Sequence, residues 1–262
     1  MILFSLVDRM TTDRKLWAFL ACRNQGSRLW GKPLQNISIA DSITILDYLI
    51  HGIKQQKMVS GIALAISQGV ENEVFKGVAD RHGIPYVVGS EKDVLGRLVQ
   101  CFEISPATDV LRVTTESPFP AFEYLEQAWT LHQESGAAMT TLDNVPDGCG
   151  FEIITKNALV QSHRQGDERH RSELCSLYIR EHKDKLLVQN LVPTRTDLRT
   201  DLRLTVDYPE DLIVARAVFD SLAKKGKIHP SLSAIVAFLD GHPDLRHLVD
   251  QFVPAGMKSM YV

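Results

Sequence analysis

Apolar runs alternate with amphipathic segments over residues 16–88, and this alternation constrains the fold more than any other feature. Short apolar runs at 16–22, 60–67 and 84–88 predict three β-strands. Segment 42–56 has the three- and four-residue apolar spacing of a helix that buries one face, and 71–82 predicts a second helix. The order β-α-β-α-β favours a parallel sheet with helices on its faces, and such folds bind ligands beyond the carboxyl ends of the strands.

The first predicted strand ends in a loop with three cations, Arg23, Arg28 and Lys32, and two glycines, Gly26 and Gly31. Glycines let backbone N–H groups come close to oxygen atoms, and the cations supply positive charge, so the loop has the composition of a phosphate cradle. Its spacing matches neither the dinucleotide-binding G-x-G-x-x-G nor the Walker-type G-x-x-x-x-G-K-[ST]. On these residues alone, a solvated basic loop is an equal alternative.

Residues 22–32, C-R-N-Q-G-S-R-L-W-G-K, resemble the A-R-x-x-S-x-R-L-P-G-K signature of cytidylyltransferases that activate acidic sugars. This is the SpsF group of spore-coat polysaccharide proteins, with CMP-Kdo and CMP-sialate synthetases as relatives. Two departures are visible: Trp30 replaces the usual proline, and the serine comes one place later. In that family the loop wraps the triphosphate of CTP.

The resemblance implies roles for five residues of this loop. Arg23, Arg28 and Lys32 are expected to be the catalytic cations. Together with Cys22 and Ser27, they are also expected to bind the nucleotide.

The resemblance also implies the fold. We expect a single α/β domain over 1–262 of the nucleotide-diphospho-sugar transferase type, which is Rossmann-like, with a mixed, mostly parallel sheet and helices on both faces. Similarity to the family extends over about 16–243. We expect 1–14 to be an N-terminal extension and 244–262 to be a short C-terminal tail.

A second block, G-S-E-K-D-V-L-G-R, resembles the family pattern G-S-x-x-D-V-L-x-R. It implies that Ser90 and Arg97 contact the nucleotide, and Ser67, at the end of the second predicted strand, matches a family position near the cytosine. Structural alternatives exist for each. Ser90 and Asp93 form a capping-box pattern, Asp93 and Arg97 are spaced to pair on a helix surface, and Ser67 suits a turn.

Two further blocks imply a magnesium site. Residues 112–118, R-V-T-T-E-S-P, line up with the family's R-x-T-G-D-x-P, whose aspartate binds the catalytic Mg²⁺. Thr115 replaces the glycine, and Glu116 stands in the aspartate position with a side chain one methylene longer. The stretch R-L-T-V-D-Y-P-E-D matches R-x-T-V-D-T-P-E-D and implies Asp207 as the second ligand. Mg²⁺ demands near-octahedral oxygen ligands, so the longer arm requires a shifted backbone or a water. The alternative for Asp207 is a cap of the helix that begins near Pro209.

The motifs that would face the acceptor match the family pattern less completely. The stretch P-D-G-C-G-F-E-I resembles the family's P-D-G-x-D-x-E-x, which faces the sugar, and implies Asp147 and Glu152 as substrate-binding residues, although Gly150 occupies the second acid position. Glu173 aligns with the glutamate of a family E-H-V block, whose histidine is replaced by Leu174. A turn aspartate and an exposed strand residue are equal alternatives for Asp147 and Glu152.

Composition excludes several classes of protein. The net charge of −3 argues against broad binding to nucleic acid or anionic membranes. Four well-separated cysteines without a C-x-x-C pair fit reduced thiols better than disulfides or a structural metal site. No apolar run approaches the roughly 20 residues of a membrane span, and the first residues lack the pattern of a signal peptide. We therefore expect a cytoplasmic protein.

The resemblance implies transfer of CMP from CTP to an acidic sugar of the nonulosonate or octulosonate type, with release of pyrophosphate, Mg²⁺ as cofactor and a homodimer as the assembly. Two alternatives stay open. One is a cytidylyltransferase that acts on a phosphate or phosphonate to give a CDP-type product, motivated by Gly150 and Leu174. The other is a catalytically weakened nucleotide-binding homologue, motivated by Glu116.

Overall fold

A computed structural model describes residues 14–223 and 229–253. Most of the expected N-terminal extension, 1–14, and the last part of the expected C-terminal tail, 244–262, therefore lie outside the described residues. Among the helices described, none is long and apolar enough to cross a bilayer. The strands are β1 (Leu16–Cys22), β2 (Asn36–Ser38), β3 (Ile43–Thr44), β4 (Val59–Ser67), β5 (Tyr86–Gly89), β6 (Asp109–Arg112), β7 (Met139–Leu142), β8 (Phe151–Thr155) and β9 (Val188–Asn190).

Seven of these strands form one sheet in the order β5-β4-β1-β6-β8-β7-β9, and β2 pairs with β3 separately. Strand β8 is antiparallel to both of its neighbours, whereas the remaining pairs of the large sheet are parallel. The prediction of a mixed, mostly parallel sheet is confirmed. The helices are α1 (Ile45–Lys54), α2 (Val74–His82), α3 (Val94–Cys101), α4 (Leu125–Ser135), α5 (Lys156–Gln165), α6 (Leu177–Glu181), α7 (Pro209–Val218), α8 (Leu232–Asp240) and α9 (Pro243–Val249).

Alternate residues of β1 pack into two different cores. Leu16, Ala18 and Leu20 join the larger core, which includes the buried face of α1. Phe19 joins the second core with buried residues of α3, and its ring lies 4.8 Å from that of Phe102. Because successive side chains of a strand point to opposite faces, the two cores show that helices cover both faces of the sheet.

Helix α3 begins later than the sequence pattern suggests. Asp93 is its N-cap, because the Asp93 Oδ1 atom accepts the backbone N–H of Gly96 at 2.7 Å. Ser90 lies outside the helix and is exposed, so the capping box expected at Ser90 is wrong. The Asp93 carboxylate, directly before the first helical residue, satisfies the free N–H group instead.

A tight backbone contact brings the P-D-G turn against the later acidic block. Gly148 has φ +89, and a Cβ atom there would lie 2.5 Å from the backbone nitrogen of Thr205. The backbone of Asp147 bridges to Arg203, and its carbonyl accepts the N–H of Leu204 at 2.7 Å. Glycine is therefore required at this turn by both torsion and space.

His229 is expected to make stability fall in mild acid. Its ring stacks on Tyr48 at 4.3 Å and approaches Phe122 at 5.2 Å, and Nδ1 is buried without a hydrogen-bond partner. Burial lowers the pKa of His229 to about 4. The folded state holds a neutral imidazole, so its contribution is present above the unfolded pKa near 6.5 and is lost as pH falls towards 4.

We expect the free energy of unfolding, measured with denaturant, to fall between pH 7.5 and pH 5 by about 1–2 kcal/mol more in wild type than in His229→Phe. Phenylalanine keeps an aromatic ring at this position and cannot take up a proton. Equal losses in the two proteins would show that the acid sensitivity comes from other groups.

Candidate active site

A cleft of about 710 Å³, counting the part open to solvent, is lined by the carboxyl ends of β1 and β6, the first turns of α3, Glu173 and Cys175. This is the edge at which a parallel sheet is expected to bind its ligand. The predicted site residues that line it are Arg23, Lys32, Arg97, Glu116 and Glu173.

The loop after β1 is closed by its own backbone. Gly31 has the left-handed torsion φ +61, and its N–H donates to the carbonyl of Asn24 at 2.9 Å. The N–H of Asn24 in turn donates to Oδ1 of Asn72, a fully buried residue, at 2.8 Å. The loop is thus anchored to the segment before α2, which holds its cations at the edge of the cleft.

Both carboxylate oxygens of Asp207 contact cationic side chains. Lys32 Nζ and Arg28 Nη2 contact Oδ1, the latter at 3.1 Å, and Arg203 Nη2 donates to Oδ2 at 3.0 Å. Burial alone would raise the pKa of Asp207, but the hydrogen bond and charge of Lys32, with the two arginines, outweigh it and lower the pKa. Lys32 and Asp207 are therefore in direct hydrogen-bond contact, although they lie 175 positions apart in the sequence.

Asp207 does not cap α7. The N-cap is Tyr208, and Asp211 in the first turn of the helix reaches back: its Oδ2 accepts the N–H of Asp207 at 2.8 Å and that of Tyr208 at 2.9 Å. The alternative of a helix-capping role for Asp207 is therefore wrong. Its side chain is left to interact with the cationic loop.

Glu116 lies beside the same cluster. Its backbone carbonyl accepts the N–H of Val206 at 3.0 Å, which ties the turn after β6 to the residue before Asp207. Burial raises the pKa of the Glu116 carboxyl, the charge of Lys32 opposes this, and the charge of Asp207 adds to it. The two acids are close enough to influence each other.

These two carboxylates suit a magnesium ion that also binds a substrate. Within the described residues, no group of three or more His, Cys, Asp or Glu side chains forms a complete metal site. Mg²⁺ typically uses one or two carboxylates together with substrate phosphates and water, so a two-carboxylate donor set fits that mode of binding.

Arg23 and Glu173 form an ion pair at 2.9 Å between the two sides of the cleft, and both side chains are largely exposed. The other nucleotide-side residues differ in placement. Cys22 is buried, and burial raises the pKa of its thiol well above the ordinary range. Ser27 is exposed on the loop, and Ser67 is buried with Oγ donating to the carbonyl of Gln68 at 3.3 Å.

Arg97 is 1 % exposed and binds backbone rather than a neighbouring acid. Its Nε donates to the carbonyl of Ala65 at 3.2 Å, and Nη1 donates to the carbonyls of Ser90 and Glu91. Asp93 instead contacts His163 at 2.8 Å. The surface pair between Asp93 and Arg97 is therefore wrong, and Arg97 braces the ends of β4 and β5 under the cleft.

The three acceptor-side residues are not equivalent. Glu152 is 7 % exposed and pairs with Arg112 at 3.0 Å and Arg180 at 2.7 Å, so the alternative of an exposed strand residue is wrong. Burial raises the pKa of Glu152, but the two arginines outweigh it and lower the pKa. Asp147 pairs with Arg203 at 2.6 Å. Among the three, Glu173 is the one that lines the cleft.

Residues 18–226 match the family model described as Cytidylyltransferase. The chain belongs to the cytidylyltransferase family. It is therefore a nucleotidyltransferase that uses CTP.

One relative by sequence supports the family of this cytidylyltransferase, and two solved structures support its fold. The spore coat polysaccharide biosynthesis protein SpsF of Bacillus subtilis (strain 168) is 28% identical over 230 residues, 86% of this chain and 94% of that protein. A cytidylyltransferase structure from Leptospira borgpetersenii has a TM-score of 0.79 at 18% identity and covers 88% of this chain and 96% of that one. The structure of CMP:2-keto-3-deoxy-manno-octonic acid synthetase complexed with CTP has a TM-score of 0.60 at 12% identity, and the match covers 79% of this chain and 99% of that one.

Sequence reasoning missed several residues that build the site of this cytidylyltransferase. Arg112 lines the cleft and holds both Glu152 and, through Nη2, the carbonyl of Glu173 at 2.6 Å. Arg203, which is 4 % exposed, joins Asp147 to Asp207. Both arginines stand inside the motifs already singled out, and that position is the one signal that could have identified them.

Proposed function

We propose that this cytidylyltransferase transfers CMP from CTP to an acidic sugar of the nonulosonate or octulosonate type and releases pyrophosphate. The observation that carries the proposal is the convergence of Arg28 and Lys32 on Asp207, next to Glu116, at the carboxyl edge of the sheet. The similarity to SpsF, named for polysaccharide biosynthesis, and to a synthetase named for an octonic acid supports a sugar acceptor.

The reaction needs positioning and charge compensation more than covalent chemistry. An acceptor oxygen attacks the α-phosphorus of CTP, the bond from that phosphorus to the pyrophosphate oxygen breaks, and the acceptor proton leaves to solvent or a base. Arg23, Arg28 and Lys32 neutralise the triphosphate and the departing pyrophosphate. The Glu173 carboxylate holds Arg23 at 2.9 Å, and the Asp207 carboxylate holds Arg28 and Lys32, so these two acids would position the cations before the triphosphate binds.

Glu116 and Asp207 would hold the magnesium ion. When bound there, Mg²⁺ supplies positive charge to phosphate oxygens that become more negative during transfer. Asp207 is ionised by its cationic neighbours, and Glu116 becomes a better ligand as soon as a cation offsets its burial.

Nucleotide contacts are proposed for Cys22, Ser27, Ser67 and Ser90 in addition to the cations. The Arg97 guanidinium supports this wall of the cleft, because it donates to the carbonyls of Ala65, Ser90 and Glu91 and so fixes the strand ends that would face the base. Acceptor contacts are proposed for Glu173 directly. Asp147 and Glu152 would act by holding Arg203 and Arg112 in place.

A phosphate or phosphonate acceptor is the second candidate. Gly150 and Leu174 stand where the resembling family has an acid and a histidine, and Leu174 is 37% exposed. The acid that Gly150 replaces would repel a second anion, so its absence lowers the electrostatic cost of a phosphate or phosphonate acceptor. This candidate predicts a product with two linked phosphorus atoms.

Pyrophosphate release measured with CTP, UTP, ATP and GTP, each against acidic sugars and phosphorylated alcohols, tests the proposal. We expect CTP to exceed the other nucleotides by at least about tenfold with an acidic sugar, a difference of about 1.4 kcal/mol in transition-state binding. Release without preference for CTP contradicts cytidylyl transfer. Release with a phosphorylated alcohol alone selects the second candidate.

We also propose a homodimer that uses the exposed part of residues 152–180, in which Leu174 is exposed whereas Glu152 is buried within its own chain. Light scattering at micromolar concentration should give twice the mass of the 29.4 kDa chain. A monomer mass excludes this assembly.

A further inference from the structure

One aromatic stack connects the C-terminal part of the chain to the cationic loop. Phe252 lies in the turn that follows α9, and its ring stacks on that of Tyr208 at 3.9 Å with 6° between the planes. The guanidinium carbon of Arg28 lies 5.1 Å from the centroid of the same Tyr208 ring. Tyr208 directly follows Asp207, which Arg28 contacts at 3.1 Å. Phe252 is therefore linked to Arg28 through a single side chain.

We propose that Tyr208 and Phe252 are positioning residues that hold Arg28 ready for the triphosphate of CTP. This inference rests on the proposed role of Arg28 in the function above. The side chain of Arg28 is 42% exposed and is carried by a loop that contains two glycines, so without a support it would occupy many rotamers. An aromatic face attracts a guanidinium, and Phe252 keeps that face in place.

Fixing a cation before its ligand arrives reduces the conformational entropy that is lost on binding. Asp207 contributes one contact to Arg28, through the Oδ1 atom that Lys32 also contacts. The Tyr208 ring supplies a second contact to the same guanidinium. Asp207 thus holds the position of the Arg28 guanidinium, and the aromatic stack restricts its orientation.

The stack is particular to this chain in comparison with the signature that it resembles. The signature R-x-T-V-D-T-P-E-D has threonine at the position of Tyr208, and threonine has no ring. The backbone N–H of Tyr208 donates to Asp211 Oδ2 at 2.9 Å, and this contact does not involve the ring. Replacing the ring therefore leaves the cap of α7 in place, so ring variants test the stack itself.

The test is the Kd of CTP and of CMP, measured by calorimetry without acceptor. Tyr208→Leu and Phe252→Leu should each weaken CTP by about three- to fivefold and leave CMP within about twofold, since CMP lacks the phosphates that Arg28 would meet. Tyr208→Phe keeps the ring and removes only the hydroxyl, which also interacts with Arg28, so it should bind CTP within about twofold of wild type. The matched control is His242→Ala, which removes a stack of 4.1 Å on Phe238, in the same C-terminal region but with no contact to Arg28.

Arg28→Ala completes a double-mutant cycle that separates two kinds of failure. We expect Arg28→Ala to weaken CTP more than CMP, and Tyr208→Leu to add nothing in that background. If Arg28→Ala affects CTP no more than CMP, the proposed role of Arg28 fails and the positioning role falls with it. If Arg28→Ala weakens CTP but the ring variants do not, or if their effects add in full, the positioning role alone is overturned.

Discussion

Replacing Asp207 with asparagine should lower turnover about a hundredfold or more while the protein stays folded. The substitution keeps size and hydrogen bonding but removes the charge that holds Lys32 and Arg28 and that would bind Mg²⁺. Weakening a metal ligand costs several kcal/mol of transition-state stabilisation, and each 1.36 kcal/mol is tenfold in rate. Steady-state pyrophosphate release and thermal unfolding of the same samples measure the two quantities.

The fold should survive because Arg203, the buried partner of Asp207, retains Asp147 and Asp211. The matched control is Asp240→Asn, which removes a carboxylate paired with Arg199 at 2.7 Å on the surface, outside the cleft. Both variants lose one arginine-paired charge, so a loss of activity in Asp207→Asn alone is due to the site. Activity near that of wild type in Asp207→Asn would mean that the chemistry does not use this carboxylate.

Glu116→Gln should have an effect of similar size, whereas Glu116→Asp should keep or raise activity. Glutamine has the same length but no charge, so it would be a poorer ligand for the Mg²⁺ ion that we propose Glu116 and Asp207 hold. Aspartate restores the residue that the resembling family uses. The backbone bond from Val206 to the carbonyl of residue 116 does not depend on the side chain, so the turn should keep its position in both variants.

The metal dependence of the Glu116 variants gives an independent readout. If Glu116 contributes to the metal site, Glu116→Gln should need a higher Mg²⁺ concentration for half-maximal rate than Glu116→Asp. Full activity in Glu116→Gln at ordinary Mg²⁺ would exclude a ligand role. If wild type itself also turns over slowly, this result would favour the alternative of a catalytically weakened nucleotide-binding homologue.

The first strands of the sheet were predictable because they are short apolar runs in the sequence, whereas the mixed sheet as a whole was expected only from the family resemblance. The strand that begins the site, β1, has the bounds expected from its apolar run. The start of helix α3 was predicted less accurately. Ser90 and Asp93 are both residue types that favour the N-cap position, and the local sequence does not decide which of them caps the helix.

The site was predictable only as a set of separate motifs. The sequence places Lys32 and Asp207 in blocks of opposite charge, but their direct contact depends on how the sheet brings strand ends together. The burial of Glu152 between Arg112 and Arg180 also depends on contacts that are distant in sequence. Glu152 has the type and spacing of a substrate ligand, and only packing distinguishes that role from a buried ion pair.

Phosphorus NMR of the product formed from CTP tests the central claim most directly. CMP joined to an acidic sugar has one phosphorus atom in a phosphodiester, so the account predicts one new uncoupled resonance that grows in step with pyrophosphate. The Asp207→Asn sample under the same conditions should show neither signal. Two mutually coupled resonances would indicate a CDP-type product and contradict the assignment of a sugar hydroxyl as acceptor, and formation of free CMP alone would contradict transfer altogether.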